Sequence, residues 1–167
     1  MIVSPVYVLD TSVLIEAANR YYAFDIAPSF WQQLLIFAEQ GHVVSIDKVK
    51  KELLRGTDEL ADWARNDFSF AFASTAEPDI LTGYASIIAW SQRHAQYNDV
   101  AKAEFAGTDN ADPWVMSLAQ AKGYITVSEE IPKKDIRRRI PIPNACDELK
   151  IPHINTFEML RALKIRL

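Results

Sequence analysis

The chain has 167 residues, of which 49% are hydrophobic and 24% charged, and its five glycines and eight prolines are too few for a collagen or a low-complexity chain. We therefore expect one folded domain over residues 1–167, with a core that needs no disulfide or structural zinc. The 18 basic and 22 acidic residues give a net charge of −4, which excludes a histone-like polycation. Nucleic acid would then be bound only through a local basic patch.

Cysteine usage and hydropathy indicate the compartment. The single Cys146 excludes an internal disulfide and favours a reducing environment. No run approaches the roughly 20 apolar residues of a membrane span, and the start lacks the basic flank of a signal peptide. His42, His94 and His153 are scattered, so a structural zinc or haem site is disfavoured. The sequence predicts a soluble, cytoplasmic protein.

Four short apolar runs predict strands. The first, residues 6–9, is uniformly apolar and leads into Asp10. The second and third, residues 42–46 and 124–128, each follow a glycine at which a helix stops. The fourth, residues 151–154, contains a proline, which favours an edge strand.

Amphipathic segments between the runs predict helices. Ser29 and Gln32 form a capping box for a helix that ends at Gly41. Further helices are predicted over residues 47–56, 57–64, 78–94, 112–122 and 155–166. This alternation predicts the α/β class, as a three-layer α/β/α sandwich with a mostly parallel central sheet. Such sheets bind ligands beyond the carboxyl ends of their strands.

Carboxylates recur where this fold would bring them together. The candidates follow strands or lie on or before the neighbouring helices: Asp10, Glu52, Asp109, Asp112, Glu129 and Glu130. Clustered carboxylates repel one another and raise each other's pKa, so a cluster of this kind needs a cation. Mg²⁺ binds oxygen ligands and keeps several waters, which leaves room for a phosphate.

Simpler interpretations of the same acids stay open. Asp10 can be a turn residue, and Asp112 before Pro113 is a typical N-cap. Glu52 lies among basic residues and can form intrahelical ion pairs, although its spacing from Val49 favours an inward direction. The loop acids can be solvated. We favour metal binding for Asp10, which follows the first strand, and for Glu52 and Asp112, which lie on helices.

Four segments in order carry a resemblance to a known family: Leu-Asp-Thr-Ser at 9–12, Val-x-x-Glu-Leu at 49–53, Asp-Pro-Trp-Val at 112–115 and Thr-Val-Ser-Glu-Glu at 126–130. Together with the final short strand and helix, they make the chain resemble a PIN domain over essentially its whole length. The resemblance implies a metal-dependent PIN-like ribonuclease. Many small members of that family are toxins of toxin-antitoxin pairs.

The resemblance also implies a set of site residues. Asp10, Glu52 and Asp112 match the principal metal-site acids of PIN domains. Many members carry Thr-x-Asp after the third run, where this chain has two consecutive glutamates, and Glu129 takes that position here because it comes first beyond the strand. The predicted catalytic residues, which also bind Mg²⁺ or Mn²⁺, are Asp10, Glu52, Asp112 and Glu129, with Asp109 as a further metal ligand.

The predicted reaction is hydrolysis of RNA by a metal-activated water, which leaves 5′-phosphate and 3′-hydroxyl ends. Two alternative functions stay open. A haloacid-dehalogenase-like phosphatase would use Asp10 as nucleophile, but Ser12 stands where that enzyme needs an acid. A catalytically weak PIN-like module would bind RNA or a partner protein without turnover.

Residues 133–139 hold five basic side chains and one acid, which favours contact with an RNA backbone. A solvated loop or an antitoxin-binding surface gives the same pattern. The four tryptophans are predicted to be core residues rather than base-stacking ones. The resemblance further implies a cognate antitoxin, with a helix across the acidic crevice, and a homodimer.

Overall fold

The computed structural model describes residues 4–167. Its strands are β1 Tyr7–Leu9, β2 Val43–Ile46, β3 Phe72–Ala73, β4 Ile125–Val127 and β5 His153–Ile154. Within the described residues these strands form a parallel sheet in the order β3-β2-β1-β4-β5. Helices cover the sheet as the predicted three-layer α/β/α sandwich of PIN-like type. The proline-containing run forms an edge strand, as predicted.

The helices are α1 Thr11–Glu16, α2 Pro28–Glu39, α3 Asp47–Leu53, α4 Glu59–Asn66, α5 Pro78–Arg93, α6 Asp99–Phe105, α7 Asp112–Lys122, α8 Ile142–Leu149 and α9 Thr156–Ala162. A π-helical segment, Ala17–Tyr21, continues α1, and a 3₁₀ turn, Ser69–Ala71, precedes β3. Across residues 4–167, none of the helices has the length and apolar character required to cross a membrane.

The central strand β1 determines where a ligand can bind. Its residues Val8 and Leu9 are fully buried, and Ser45 Oγ donates a hydrogen bond to the Leu9 carbonyl at 2.7 Å. The strand that follows β1 in the chain, β2, lies on one side of it, and β4 lies on the other. The strand order therefore reverses at β1, and a crevice at such a point is the usual ligand site of a parallel α/β sheet.

The helix ends predicted from the sequence are confirmed only in part. The predicted capping box at Ser29 is wrong, because α2 begins one residue earlier, at Pro28, and has no side-chain cap. A proline at the first helical position already has a suitable φ angle. Gly123 ends α7 in the left-handed conformation, with φ 71°. The predicted cap of the last helix is confirmed, since Asn155 Oδ1 accepts from Glu158 N at 2.9 Å.

The tryptophans contribute to the core, as predicted. Trp31 and Trp63 are buried and lie edge to face, with ring centroids 4.9 Å apart. Trp90 and Trp114 are half-buried and pack against the same core. Cys146 is also buried, which raises the pKa of its thiol to about 12, so it stays a neutral packed side chain.

Helix α7 is held in place by α5. Gly83 of α5 lies against Ser117 of α7, so closely that a Cβ on Gly83 would come within 2.8 Å of Ser117 Oγ. That hydroxyl donates a hydrogen bond to the carbonyl of Ile80. The contact fixes the helix whose first residue is Asp112.

Candidate metal centre

Asp10 follows the central strand, and its side chain is almost completely buried. Its Oδ2 accepts hydrogen bonds from Ser12 Oγ at 2.6 Å and from Ser128 Oγ at 3.2 Å. Its Oδ1 is also buried, and no residue from 4 to 167 donates a hydrogen bond to it. Burial raises the pKa of Asp10, and the hydrogen bonds, chiefly from Ser12, oppose that rise. A buried carboxylate oxygen without a donor is an atom that a cation would satisfy.

Three carboxylates converge at this point. Oxygen atoms of Asp10, Asp112 and Glu130 all lie within 4.8 Å of one another. Burial raises the pKa of Asp112 well above its ordinary value, and the charges of Asp10 and Glu130 add to the rise. The pKa of Glu130 is raised by burial and by Asp10. Because three like charges in so small a space repel one another, the cluster is compatible with a divalent cation.

Asp112 is free to take part in this cluster. It is the first residue of α7, but the cap position falls on Ala111 and no side chain caps the helix. The backbone N–H of Asp112 donates instead to Asn110 Oδ1 at 2.9 Å. The alternative that Asp112 serves as an N-cap is therefore wrong.

Glu130 is held by two donors from the segment that follows it. Its Oε2 accepts from the backbone N–H of Ile142 at 2.7 Å, and its Oε1 accepts from the Arg139 guanidinium. Arg139 Nη2 also lies 4.0 Å from Asp112 Oδ2. The positive charge of Arg139 opposes the rise in pKa of both acids. The last residue of the basic run thus lies at the acidic cluster.

Glu52 joins two of the elements that form the site. Its Oε2 accepts from Thr11 Oγ1 at 2.6 Å, and its Oε1 accepts from the backbone N–H of Ala111 at 3.0 Å. These bonds connect α3 to the starts of α1 and α7. The predicted inward direction of Glu52 is therefore confirmed, and its charge adds to the rise in pKa of Asp112.

The remaining predicted acids lie apart from the cluster. Glu129 Oε1 accepts from the backbone N–H of Thr156 at 3.2 Å, at the start of α9. Asp109 is mostly exposed, and its Oδ1 lies 3.2 Å from Arg55 Nη2. The structure places Glu130, rather than its neighbour Glu129, beside Asp10 and Asp112.

The acids line one cavity at the carboxyl end of β1. Its volume is about 660 Å³, which lies within the range of small-molecule sites. Seven carboxylates and one guanidinium lie in its wall: Asp10, Glu16, Glu52, Glu104, Asp109, Asp112, Glu130 and Arg139. This set of groups can bind a divalent cation and a phosphate side by side.

Comparison with known proteins places the chain in a family. The model of the family described as "Domain of unknown function (DUF4411)" matches residues 7–167. The chain belongs to this family. A solved structure with a similar fold is that of VapBC2 from Rickettsia felis bound to a DNA fragment from their promoter. It shares 15% identity with the DUF4411 chain over 90% of this chain and 98% of that chain, with a TM-score of 0.52. A search of curated proteins gives no match.

Sequence reasoning missed two residues of the DUF4411 site. Ser128 stands in the quoted Thr-Val-Ser-Glu-Glu segment, but its bond to Asp10 depends on the pairing of β1 with β4. Arg139 is the last residue of the basic run. In the sequence this run is close to Glu130, but the sequence does not show that Arg139 reaches the acids. Its contact with Asp112 joins residues from different elements, and spacing alone does not reveal it.

Proposed function

We propose that this chain is a metal-dependent ribonuclease that hydrolyses RNA phosphodiester bonds, and that it is the toxin of a toxin-antitoxin pair. The observation that carries the proposal is the convergence of Asp10, Asp112 and Glu130 within 4.8 Å at the carboxyl end of the central strand. The resemblance to PIN domains and the fold shared with VapBC2 support the same reaction. The proposal covers residues 1–167 as one domain.

The residues present fit a divalent metal ion. The buried Oδ1 of Asp10 has no donor among residues 4–167, and two further carboxylates lie beside it. We assign Asp10, Asp112 and Glu130 to hold Mg²⁺ or Mn²⁺. When bound, such an ion lowers the pKa of a water and neutralises charge on the phosphate under attack.

Neighbouring residues hold this arrangement and receive the substrate. Glu52 fixes the start of α7 through the N–H of Ala111, and thereby positions Asp112. Arg139 holds Glu130 and has further N–H donors that can bind a phosphate oxygen. Direct metal ligation by Glu52 or Asp109 stays a prediction, and we propose Glu130 in place of Glu129 as the metal-binding acid that follows β4.

Cleavage of a mixed RNA pool with Mg²⁺ or Mn²⁺ tests the function. We expect Asp10→Asn to reduce cleavage by at least about 100-fold, since even the partners of metal ligands contribute 10- to 100-fold. EDTA should abolish cleavage in the wild type. Asp62→Asn, which changes an exposed acid paired with Arg65, is the matched control and should cleave normally. Undiminished cleavage by Asp10→Asn would refute the proposal.

A second candidate is a binding module with little turnover. It is favoured by Glu130, because both of its oxygens already accept hydrogen bonds, from Ile142 and Arg139. Such a module would bind RNA or a protein without EDTA-sensitive cleavage. The cleavage assay separates the two candidates, because cleavage that both EDTA and Asp10→Asn remove excludes the binding module.

The proposed toxin would work with a partner in a reducing compartment. We propose a cognate antitoxin that covers the acidic cavity, a homodimer as the active form, and the cytoplasm as the location. The buried, neutral Cys146 thiol is consistent with that location. Co-purification with the product of an adjacent small gene tests the antitoxin, and sedimentation tests the dimer.

A further inference from the structure

A second cavity adjoins the acidic one. Its volume is about 760 Å³, and its wall shares four residues with the first cavity: Ser12, Glu16, Glu130 and Arg139. The two cavities are therefore adjacent, and together they are called the cleft. A polymer with one phosphate at the acidic cluster would have the second cavity beside it.

Two exposed aromatic side chains form a corner in the second cavity. Tyr21 is 47% exposed and Phe157 is 43% exposed. Their ring centroids lie 5.9 Å apart with an interplanar angle of 66°. A flat heterocycle can stack on one ring of such a corner and contact the other. The next residue, Tyr22, instead stacks on Phe30 with centroids 4.4 Å apart.

Both aromatic residues belong to regular elements of the backbone. Tyr21 is the last residue of the π-helical segment, and such segments occur frequently at functional sites. Phe157 follows Thr156, whose N–H donates to Glu129 Oε1 at 3.2 Å. Asn155 caps the same helix. Glu129 therefore fixes one wall of the cleft, although it lies outside the acidic cluster.

Charged groups line the wall of the second cavity. Arg20 and Arg139 each pair with a glutamate, Glu16 and Glu130, and two further acids, Glu129 and Glu158, lie in the same wall. Arg20 is mostly exposed, with its Nε 3.4 Å from Glu16 Oε2. Because Arg20 and Tyr21 are consecutive, the aromatic corner lies beside a guanidinium of the kind that binds phosphate.

We propose that the corner formed by Tyr21 and Phe157 is a subsite for an unpaired base of single-stranded RNA whose scissile phosphate lies at the neighbouring acidic cluster. The inference rests on the proposed function and specifies its substrate class. A single strand is required because bases within a duplex are already stacked and present no free face to a side chain. The two exposed aromatic faces and the position of the corner beside the acidic cluster favour RNA over a protein segment as occupant.

Binding without cleavage tests this subsite. Fluorescence anisotropy in EDTA would compare a labelled single-stranded RNA octamer with the same octamer carrying abasic sites. We expect Tyr21→Leu and Phe157→Leu each to weaken binding of the intact octamer by roughly 5- to 150-fold. The same variants should bind the abasic octamer as the wild type does. Tyr21→Phe keeps the ring and should keep the affinity.

Phe70→Leu is the matched control, because Phe70 is also exposed, at 57%, but lies on the 3₁₀ turn, away from the cleft. Equal affinity of the wild type and both leucine variants for the intact octamer would overturn the subsite. Loss of affinity for a protein partner alone would also overturn it, and would assign the corner to a protein interface. Because the assay involves no cleavage, inactivity in the RNA cleavage test would leave its result unaffected.

Discussion

Glu129 and Glu130 are consecutive, yet their carboxylates bind different parts of the molecule. Glu129 accepts from Thr156 at the start of α9, whereas Glu130 lies beside Asp10 and Asp112. Successive side chains of an extended segment point to opposite sides, so only one of the two can enter the cluster. The pair therefore offers an experiment in which two like substitutions, one residue apart, have different effects.

We expect Glu130→Gln to weaken Mn²⁺ binding at least tenfold, because it removes a charge from the cluster. Glu129→Gln should leave Mn²⁺ affinity unchanged and cost about 1 kcal/mol of unfolding free energy, since it weakens a charge-assisted hydrogen bond. Calorimetric titration and urea unfolding measure the two quantities. The assignment of Glu130 fails if the two variants bind Mn²⁺ equally well.

Among single residues, the sequence predicts the positions of site residues that lie at the ends of strands and helices. Asp10 follows a buried strand and Asp112 begins a helix, so the strand and helix patterns locate both. The positions of Glu130 and Arg139 depend on an irregular segment whose course is set by long-range contacts, such as the bond from Ile142 N to Glu130. Hydrophobic periodicity carries no information about such a segment.

The packing of α7 on α5 is the element-scale feature that supports the site. Ser117 fits against Gly83 and donates to the Ile80 carbonyl, so these contacts fix the position of α7 on α5. These long helices were predicted from the residues at their starts and ends. The short helices α1, α6 and α8 were not predicted, whereas α3, α4 and α9, which are equally short, were.

Gly83→Ala tests this packing of α7 on α5. The new methyl would displace Ser117 Oγ from its bond, at a cost of about 1–3 kcal/mol for the buried hydroxyl, partly offset by roughly 1 kcal/mol of helix propensity. We expect the variant to be less stable than the wild type. Ser117→Ala in the same chain should restore stability, because the smaller side chain makes room for the methyl. Thermal unfolding of both variants and of Ser117→Ala alone measures the coupling, and additive effects would contradict it.

For the whole molecule, the acidic cluster makes stability depend on pH. Burial raises the pKa of Asp10, Asp112 and Glu130 in the folded state, and repulsion from neighbouring carboxylates adds to the rise for Asp112 and Glu130. In the unfolded chain these carboxyls titrate near pH 4. Above that pH, up to the raised values, the folded state binds more protons than the unfolded state. The contribution of the cluster to stability is therefore present at acidic pH and is lost as the pH rises through this window.

We expect the free energy of unfolding in EDTA to fall as the pH increases from about 4 toward neutrality. Asp10→Asn should flatten this decline, because it removes one of the repelling charges. At neutral pH, Mn²⁺ at 100 times its dissociation constant should stabilise the wild type by about 2.7 kcal/mol. Urea unfolding at a series of pH values measures these effects. A decline equally steep in Asp10→Asn would show that other groups cause it.

The strand order of the sheet determines when the acidic cluster can assemble during translation. The acids of the cluster come from positions 10, 112 and 130, and Glu130 is held by the N–H of Ile142. Since β4 must pair with β1 before these groups meet, a growing chain that still ends before Ile142 lacks the assembled cluster. A hydrolase built in this way would stay inactive until the segment that contains Ile142 has been synthesised.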